Sequence, residues 1–171
     1  MKDYILKNGL ILGAVNVILL FVAYSIGVDF ILNSWWGFIQ FLVPLFFLIY
    51  LCVEYKKIVG GFINFKSTFF LVFGLLAASG FIHTFFSIIL YNLIDVDFAV
   101  LLQEATIEKT INLLEGLGSE SMIEESIEAL ESQNNYSAKN LTTGYFFGLP
   151  FQAILALIIS AFIKKDNPEI E

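Results

Sequence analysis

Four long apolar runs dominate the pattern of hydrophobic and polar positions along this chain. They cover residues 9–28, 35–53, 67–94 and 141–163. Each is close to the ~20 residues that a helix needs to cross a hydrocarbon core ~30 Å thick. The pattern therefore predicts an all-α integral membrane protein, a bundle of four transmembrane helices in a single membrane domain, 1–171.

The lysines predict how this bundle is oriented, because loops on the cytoplasmic side of a membrane carry an excess of basic residues. If both termini are cytoplasmic, seven of the nine basic residues fall on that side: Lys2, Lys7, Lys56, Lys57, Lys66, Lys164 and Lys165. Segment 95–140 then lies outside, in the periplasm of a bacterial inner membrane. Trp35 and Trp36 lie at the outer interface, where indole rings are enriched.

Small residues recur at helical spacing within the runs, as they do where membrane helices pack closely. The recurring glycines are Gly9 and Gly13 in the first run, Gly80 in the third, and Gly144 and Gly148 in the fourth. We expect these glycines to lie in helix contacts within the bundle, with a seam between copies in a homo-oligomer as the alternative.

A few polar side chains interrupt the apolar runs near the expected middle of the bilayer. They are Asn16, His83 and Gln152, and Gln40 lies nearer a span end. Intramembrane ionisable groups are candidates for function, so His83 could serve a proton relay or a solute site. The structural alternative is an imidazole that is simply hydrogen-bonded to Ser79, Ser87 or a neighbouring helix. The spans contain no mid-membrane Asp or Glu, which counts against an ion-driven carrier.

Two prolines fall inside apolar runs, Pro44 close to Gln40 and Pro150 close to Gln152. Proline removes a backbone hydrogen bond and kinks a helix. Transporters use broken helices beside polar groups to build sites near the bilayer midplane, although such prolines are also ordinary in membrane helices.

Segment 95–140 has a different character, since it holds ten of the sixteen acidic residues. Its apolar positions recur at i, i+4 and i+7 on both sides of a Gly-Leu-Gly turn at 116–118, which predicts an acidic helical hairpin whose first helix continues from the third span. Its acidic faces would keep it in solvent. The alternatives are a divalent-ion site along Glu120, Glu124 and Glu128, or a docking surface for a basic envelope partner.

Composition narrows the chemistry further. The 171 residues are 58% hydrophobic with a net charge of −7, and they include one cysteine, Cys52, and one histidine. The chain has no arginine and no basic surface suited to nucleic acid. No catalytic or phosphate-binding motif occurs, and we predict no catalytic residue, no metal site, no cofactor and no enzymatic activity.

Short motifs along the chain resemble a bacterial four-span membrane family catalogued as domain of unknown function 4199. They are Lys7-Asn8-Gly9 with Gly13 at the start of the first span, the segment 60–66 before the third span, a Glu-rich segment, and a last span ending at Lys164-Lys165. This resemblance implies an inner-membrane location and assigns no activity, cofactor or site residue.

Two functional hypotheses follow. The first is a non-enzymatic envelope component that interacts with a protein partner through the acidic hairpin. The alternative is a subunit of a small-solute or ion transporter or channel, with Asn16, His83 and Gln152 lining a path and a homo-oligomer completing it.

Overall fold

The computed structural model describes residues 1–116 and 134–166, and their secondary structure is almost entirely helical. The helices are α1 (Lys2–Ile26), a short α2 (Val28–Ile31), α3 (Ser34–Ile58), α4 (Phe65–Ile89), α5 (Val96–Gly116) and α6 (Ala138–Ile163). A π-helical turn, Leu90–Ile94, extends α4. Four helices are long and apolar enough to cross a membrane: α1, α3, α4 with its π turn, and α6. The predicted all-α fold with four spans is confirmed.

Polar side chains at the helix starts explain where the spans begin. The Asn33 side chain accepts a hydrogen bond from the Trp35 N–H at the start of α3, at 2.9 Å. The Asn64 side chain accepts one from the Ser67 N–H at the start of α4, at 2.8 Å. Such caps satisfy amide groups that have no partner inside the helix. Between α3 and α4 the chain reverses through Gly60 and Gly61, whose positive φ angles of 88° and 87° suit glycine.

The central element of the bundle is α4, because α1 and α6 both pack along it while sharing few contacts with each other. The buried core includes Leu12 of α1, Leu48 and Cys52 of α3, and Leu71 and Leu75 of α4. Large apolar side chains elsewhere on the spans face outward. This arrangement, with apolar groups on the outside, is what a lipid environment requires.

Three contacts bring the two termini to the same end of the bundle. Near the start of α1, the Tyr4 hydroxyl donates to the Leu51 carbonyl of α3 at 2.8 Å. The Lys56 Nζ donates to the Ile163 carbonyl of α6 at 2.6 Å. Ile63 and Lys165 exchange two backbone hydrogen bonds of 2.9 Å. The two ends therefore meet as the lysine pattern requires, while the side of the membrane on which they lie stays a prediction.

The opposite end of the bundle is covered by α5, and the structure corrects the expected continuation from the third span. The helical path breaks at Asp95 (φ −142°, ψ 82°), and the Asp95 carboxylate accepts the Phe98 N–H at 2.9 Å. Asp95 thus caps a new helix, because its side chain satisfies an amide that a continuous helix would have bonded internally.

The remaining part of segment 95–140 includes the predicted second helix of the hairpin and the approach to the last span. This second helix, including Glu120, Glu124 and Glu128, falls on 117–133 and lies outside the described residues. The last span begins three residues before its apolar run of 141–163, since α6 already begins at Ala138. There the Ser137 side chain accepts the Asn140 N–H at 3.3 Å, which explains the early start.

Candidate functional site: a polar cavity between the four spans

A cavity of about 400 Å³ lies between the four spans and is not sealed from its surroundings. Every spanning helix contributes to its wall, and most of the lining residues are polar or glycine. The lining residues are Asn16 from α1, Gln40 from α3, Leu76, Ser79, Gly80, His83 and Thr84 from α4, and Gly144, Tyr145, Gly148 and Gln152 from α6. A space of this size falls within the ~300–1,000 Å³ typical of small-molecule pockets.

The structure brings together all three residues of the predicted midplane set. Asn16, His83 and Gln152 come from three different helices and line the same cavity, and Gln40 adds a group from the fourth. These side chains are distant in sequence but meet because α4, which carries His83, packs between α1, which carries Asn16, and α6, which carries Gln152. Whether they bind a ligand stays a prediction.

Two buried polar atoms among these side chains have no hydrogen-bond partner in the described part of the chain: His83 Nε2 and Gln152 Oε1. The serines expected to hold the imidazole are occupied elsewhere. The Ser79 hydroxyl donates to the Leu76 carbonyl at 3.1 Å, and the Ser87 hydroxyl donates to the His83 carbonyl at 2.9 Å. Buried polar groups are normally paired, so these two atoms are available to a guest in the cavity; a third unpartnered atom, Ser160 Oγ, lies outside it.

The predicted packing glycines divide into two groups. A Cβ on Gly9 would lie 2.6 Å from Ala78 Cβ, and one on Gly13 would lie 2.8 Å from Ile82 Cβ, so both sit where α1 and α4 nearly touch. A Cβ on Gly80 would lie 3.2 Å from Gln152 Nε2, where α4 meets α6.

Gly144 and Gly148 differ from this expectation, because no atom outside their own helix lies within 4 Å of a Cβ built at either position. Both line the cavity instead of a helix contact. The GxxxG spacing places them on one face of α6, but that face borders open space. Their missing side chains therefore leave room in the cavity.

Two smaller cavities share walls with the central one. A cavity of about 170 Å³ shares Gln40 and His83 with it and extends beneath Trp36, Tyr91 and Tyr136 toward the end covered by α5. Another, of about 140 Å³, shares Asn16 and Gln40 and reaches Pro44. Because Gln40 borders all three spaces and His83 borders two, these side chains stand where the spaces adjoin.

The lining of the central cavity contains amides, hydroxyls and one imidazole, and none of its described residues is an Asp, Glu or Lys. Within 1–116 and 134–166, no three His, Cys, Asp or Glu side chains are grouped as a metal site would need. Cys52, the residue most prone to covalent chemistry, is fully buried in the core and does not line the cavity. The arrangement offers hydrogen-bond donors and acceptors to a guest.

The end of the bundle above the cavity is covered by α5, which is held there by contacts that periodicity alone does not reveal. The Tyr24 hydroxyl donates to Asp95 Oδ2 at 2.7 Å. Together with the Phe98 N–H, this bond holds the pKa of the Asp95 carboxyl below its usual value. The Lys109 Nζ of α5 donates to the Leu32 carbonyl at the end of α2. These bonds hold the first turns and the middle of α5 against the bundle.

The two tryptophans at the start of α3 have separate roles. Trp35 is 78% exposed, as expected for a ring at the membrane interface, whereas Trp36 is only 5% exposed. Trp36 packs on Phe30 with ring centroids 4.7 Å apart and lines the 170 Å³ cavity. Adjacent helical positions point about 100° apart, so one ring faces out and the other faces the bundle.

The fold and the site together define a multi-pass helical membrane protein with a polar cavity among its spans. The family described as Protein of unknown function (DUF4199) matches residues 7–165, nearly the whole chain, and the protein belongs to that family. The resemblance seen in the sequence is thereby confirmed. No curated protein and no solved structure matches the chain.

Proposed function

We propose that this chain is a non-enzymatic subunit of a small-solute transporter or channel, with the central cavity forming the middle of its path. One observation carries the proposal. Polar side chains from all four spans meet around a single open cavity of about 400 Å³. Polar groups inside a membrane have a high free-energy cost, and where they occur they usually mark a functional site.

The proposed path has a direction. The 170 Å³ cavity leads from His83 and Gln40 toward Trp36 and Tyr136, below α5. The lysine pattern favours cytoplasmic termini and an outward position for this end, which we propose faces the periplasm of a bacterial inner membrane. Four helices are few for a complete carrier, so we propose that a homo-oligomer completes the path.

Solute flux into proteoliposomes tests this function. The Gly148→Leu variant adds a side chain to a cavity position that has no neighbour within 4 Å, so the bundle should fold while the cavity is obstructed. Gly37→Leu is the matched control, because Gly37 is also a helical glycine with no neighbour within 4 Å and does not line the cavity.

We expect urea or glycerol to enter wild-type and Gly37→Leu proteoliposomes faster than empty liposomes, and Gly148→Leu to remove most of that difference. His83→Ala should change the flux as well, since His83 stands between two of the cavities. Equal flux in all four proteins and in empty liposomes would refute the transport proposal.

A second candidate function, a non-enzymatic envelope component that docks a basic partner outside the membrane, is supported by the charges of α5. Lys109 is the only cation of this helix and is engaged with the Leu32 carbonyl. The acidic residues of the helix are exposed: Asp97, Glu104, Glu108 and Glu115. Every exposed charge on this helix is therefore negative, among exposed apolar side chains such as Leu101 and Leu113, and negative charge suits a basic partner.

Removing segment 95–140 is a poor test of docking, because Ala99 and Leu102 of α5 are buried against Leu20 and Tyr91 of the spans. Replacing Glu104, Glu108 and Glu115 by Gln changes only exposed carboxylates. We expect native mass spectrometry of protein extracted from its own membrane to show a partner with the wild type and to lose it with this triple variant. An equally retained partner would rule out the acidic face as the docking surface.

A further inference from the structure

We propose that the central cavity binds a small uncharged molecule carrying both a hydrogen-bond donor and an acceptor, of the primary amide or urea class. The inference deepens the transport proposal by naming the chemical class of the solute. It rests on the same cavity, but binding is measured separately from flux.

The first argument is the pair of unpartnered atoms. Gln152 Oε1 can only accept a hydrogen bond, and His83 Nε2 accepts or donates according to the tautomer of the ring. Both atoms are buried without a partner among the described residues. A buried group that makes no hydrogen bond loses its hydration without compensation, so a guest that pairs with both atoms would bind favourably.

The second argument is the match between the wall and an amide guest. Asn16, Gln40 and Gln152 each carry an amide with both a carbonyl oxygen and an NH₂ group. A guest amide presents the same two groups and can bond to such a wall in either direction. Ser79 and Thr84 add hydroxyls to the lining.

The third argument is charge. None of the described residues that line the cavity is an Asp, Glu or Lys. An ionised guest would lose its hydration without gaining a counter-charge, and that loss is large in a medium of low polarity. The cavity should therefore select acetamide over acetate, which has nearly the same shape but carries a negative charge.

The fourth argument is space. Gly144 and Gly148 leave one side of the cavity without side chains, and a Cβ at either would meet nothing within 4 Å. Gly80 lets the Gln152 amide lie against the backbone of α4, since a Cβ there would come within 3.2 Å of its nitrogen. The glycines thus provide the volume while the amides and the imidazole provide the polar contacts.

The single histidine makes the test specific, because His83 is the only histidine in the chain. Protein labelled with ¹⁵N-histidine and held in nanodiscs gives ring nitrogen signals from this residue alone. We expect acetamide to shift these signals along a saturable curve and acetate to leave them unchanged. Gln152→Leu should weaken acetamide binding about fivefold or more, as expected for the loss of one hydrogen bond of ~1 kcal/mol.

Phe151→Leu is the control, because Phe151 precedes Gln152 on α6 but is 75% exposed on the outer surface. It should bind acetamide as the wild type does. A shift that never saturates, an equal affinity in Gln152→Leu, or an equal response to acetate would overturn the proposal. Cross-peaks between His83 and phospholipid chains that acetamide fails to displace would also overturn it, because a lipid would then occupy the cavity.

The binding and flux experiments fail independently. Saturable acetamide binding without flux would support the amide-binding site and refute the transport function. Flux without saturable binding would support the transport function and refute the amide-binding site.

Discussion

Replacing Gly9 by alanine should weaken the contact between α1 and α4. A Cβ at this position would lie 2.6 Å from Ala78 Cβ, whereas ordinary contact begins at 3.4 Å, so the helices would have to separate by roughly 0.8 Å. Overpacking of this kind costs about 1–3 kcal/mol. The same substitution also improves helix propensity by up to ~1 kcal/mol, so the clash must be measured against a control.

Gly37→Ala is that control, because it makes the same chemical change at a helical glycine with no neighbour within 4 Å. We expect Gly9→Ala to be about 1–3 kcal/mol less stable than Gly37→Ala. Cys52 provides the assay, since it is the only cysteine and is fully buried in the core. Its rate of maleimide labelling across an SDS titration reports the fraction of unfolded bundle.

The double variant Gly9→Ala with Ala78→Gly moves the methyl group from α4 to α1. The double variant should be more stable, by about 1 kcal/mol or more, than the sum of the two single-variant effects predicts, because the two residues are in direct contact. Equal stability of Gly9→Ala and Gly37→Ala, or strict additivity in the double variant, would refute the close approach of α1 and α4.

Two further predictions concern the end of the bundle that α5 covers. Lys109→Met should speed amide hydrogen exchange along α5 several-fold, because it removes a bond of ~1 kcal/mol to the Leu32 carbonyl, whereas Lys139→Met, at an exposed position, should not. Asp95→Ala should destabilise the bundle at neutral pH. The folded-state pKa of Asp95 lies below its ordinary value of 3.8. The difference in unfolding free energy between wild type and Asp95→Ala should therefore be full above pH 3.8 and shrink as the pH falls further. A constant difference across that range in SDS titrations would contradict it.

The spans and the polar residues of the cavity could be predicted because both depend on position along a helix. Counting from the ends of an apolar run gives the depth of a side chain in the bilayer. This depth is enough to identify Asn16, His83 and Gln152, which the structure brings to one cavity. It does not identify Tyr145, which also lines the cavity, because a tyrosine in an apolar run has no distinguishing signal.

The direction in which a residue faces was harder to predict, because it depends on which helix lies beside it. Gly9 and Gly144 both begin GxxxG motifs, yet the first touches α4 and the second borders open space. Depth likewise could not separate Trp35 from Trp36. The docking of α5 depends on Lys109 reaching a carbonyl on α2, a contact between residues 77 positions apart, and no local pattern encodes it.

The central claim is that a polar, accessible cavity lies among the spans, and labelling of paired cysteines tests it most directly. In a Cys52→Ala background, Gly148→Cys places a thiol in the cavity, and Phe147→Cys places one on the outer surface at nearly the same depth, since Phe147 is 74% exposed. In membranes, a small water-soluble thiosulfonate should modify Gly148→Cys readily and Phe147→Cys hardly at all, because it reacts with thiolate in water. Comparable protection of both thiols would contradict an accessible cavity, and faster labelling of Phe147→Cys would reverse the assigned faces of α6.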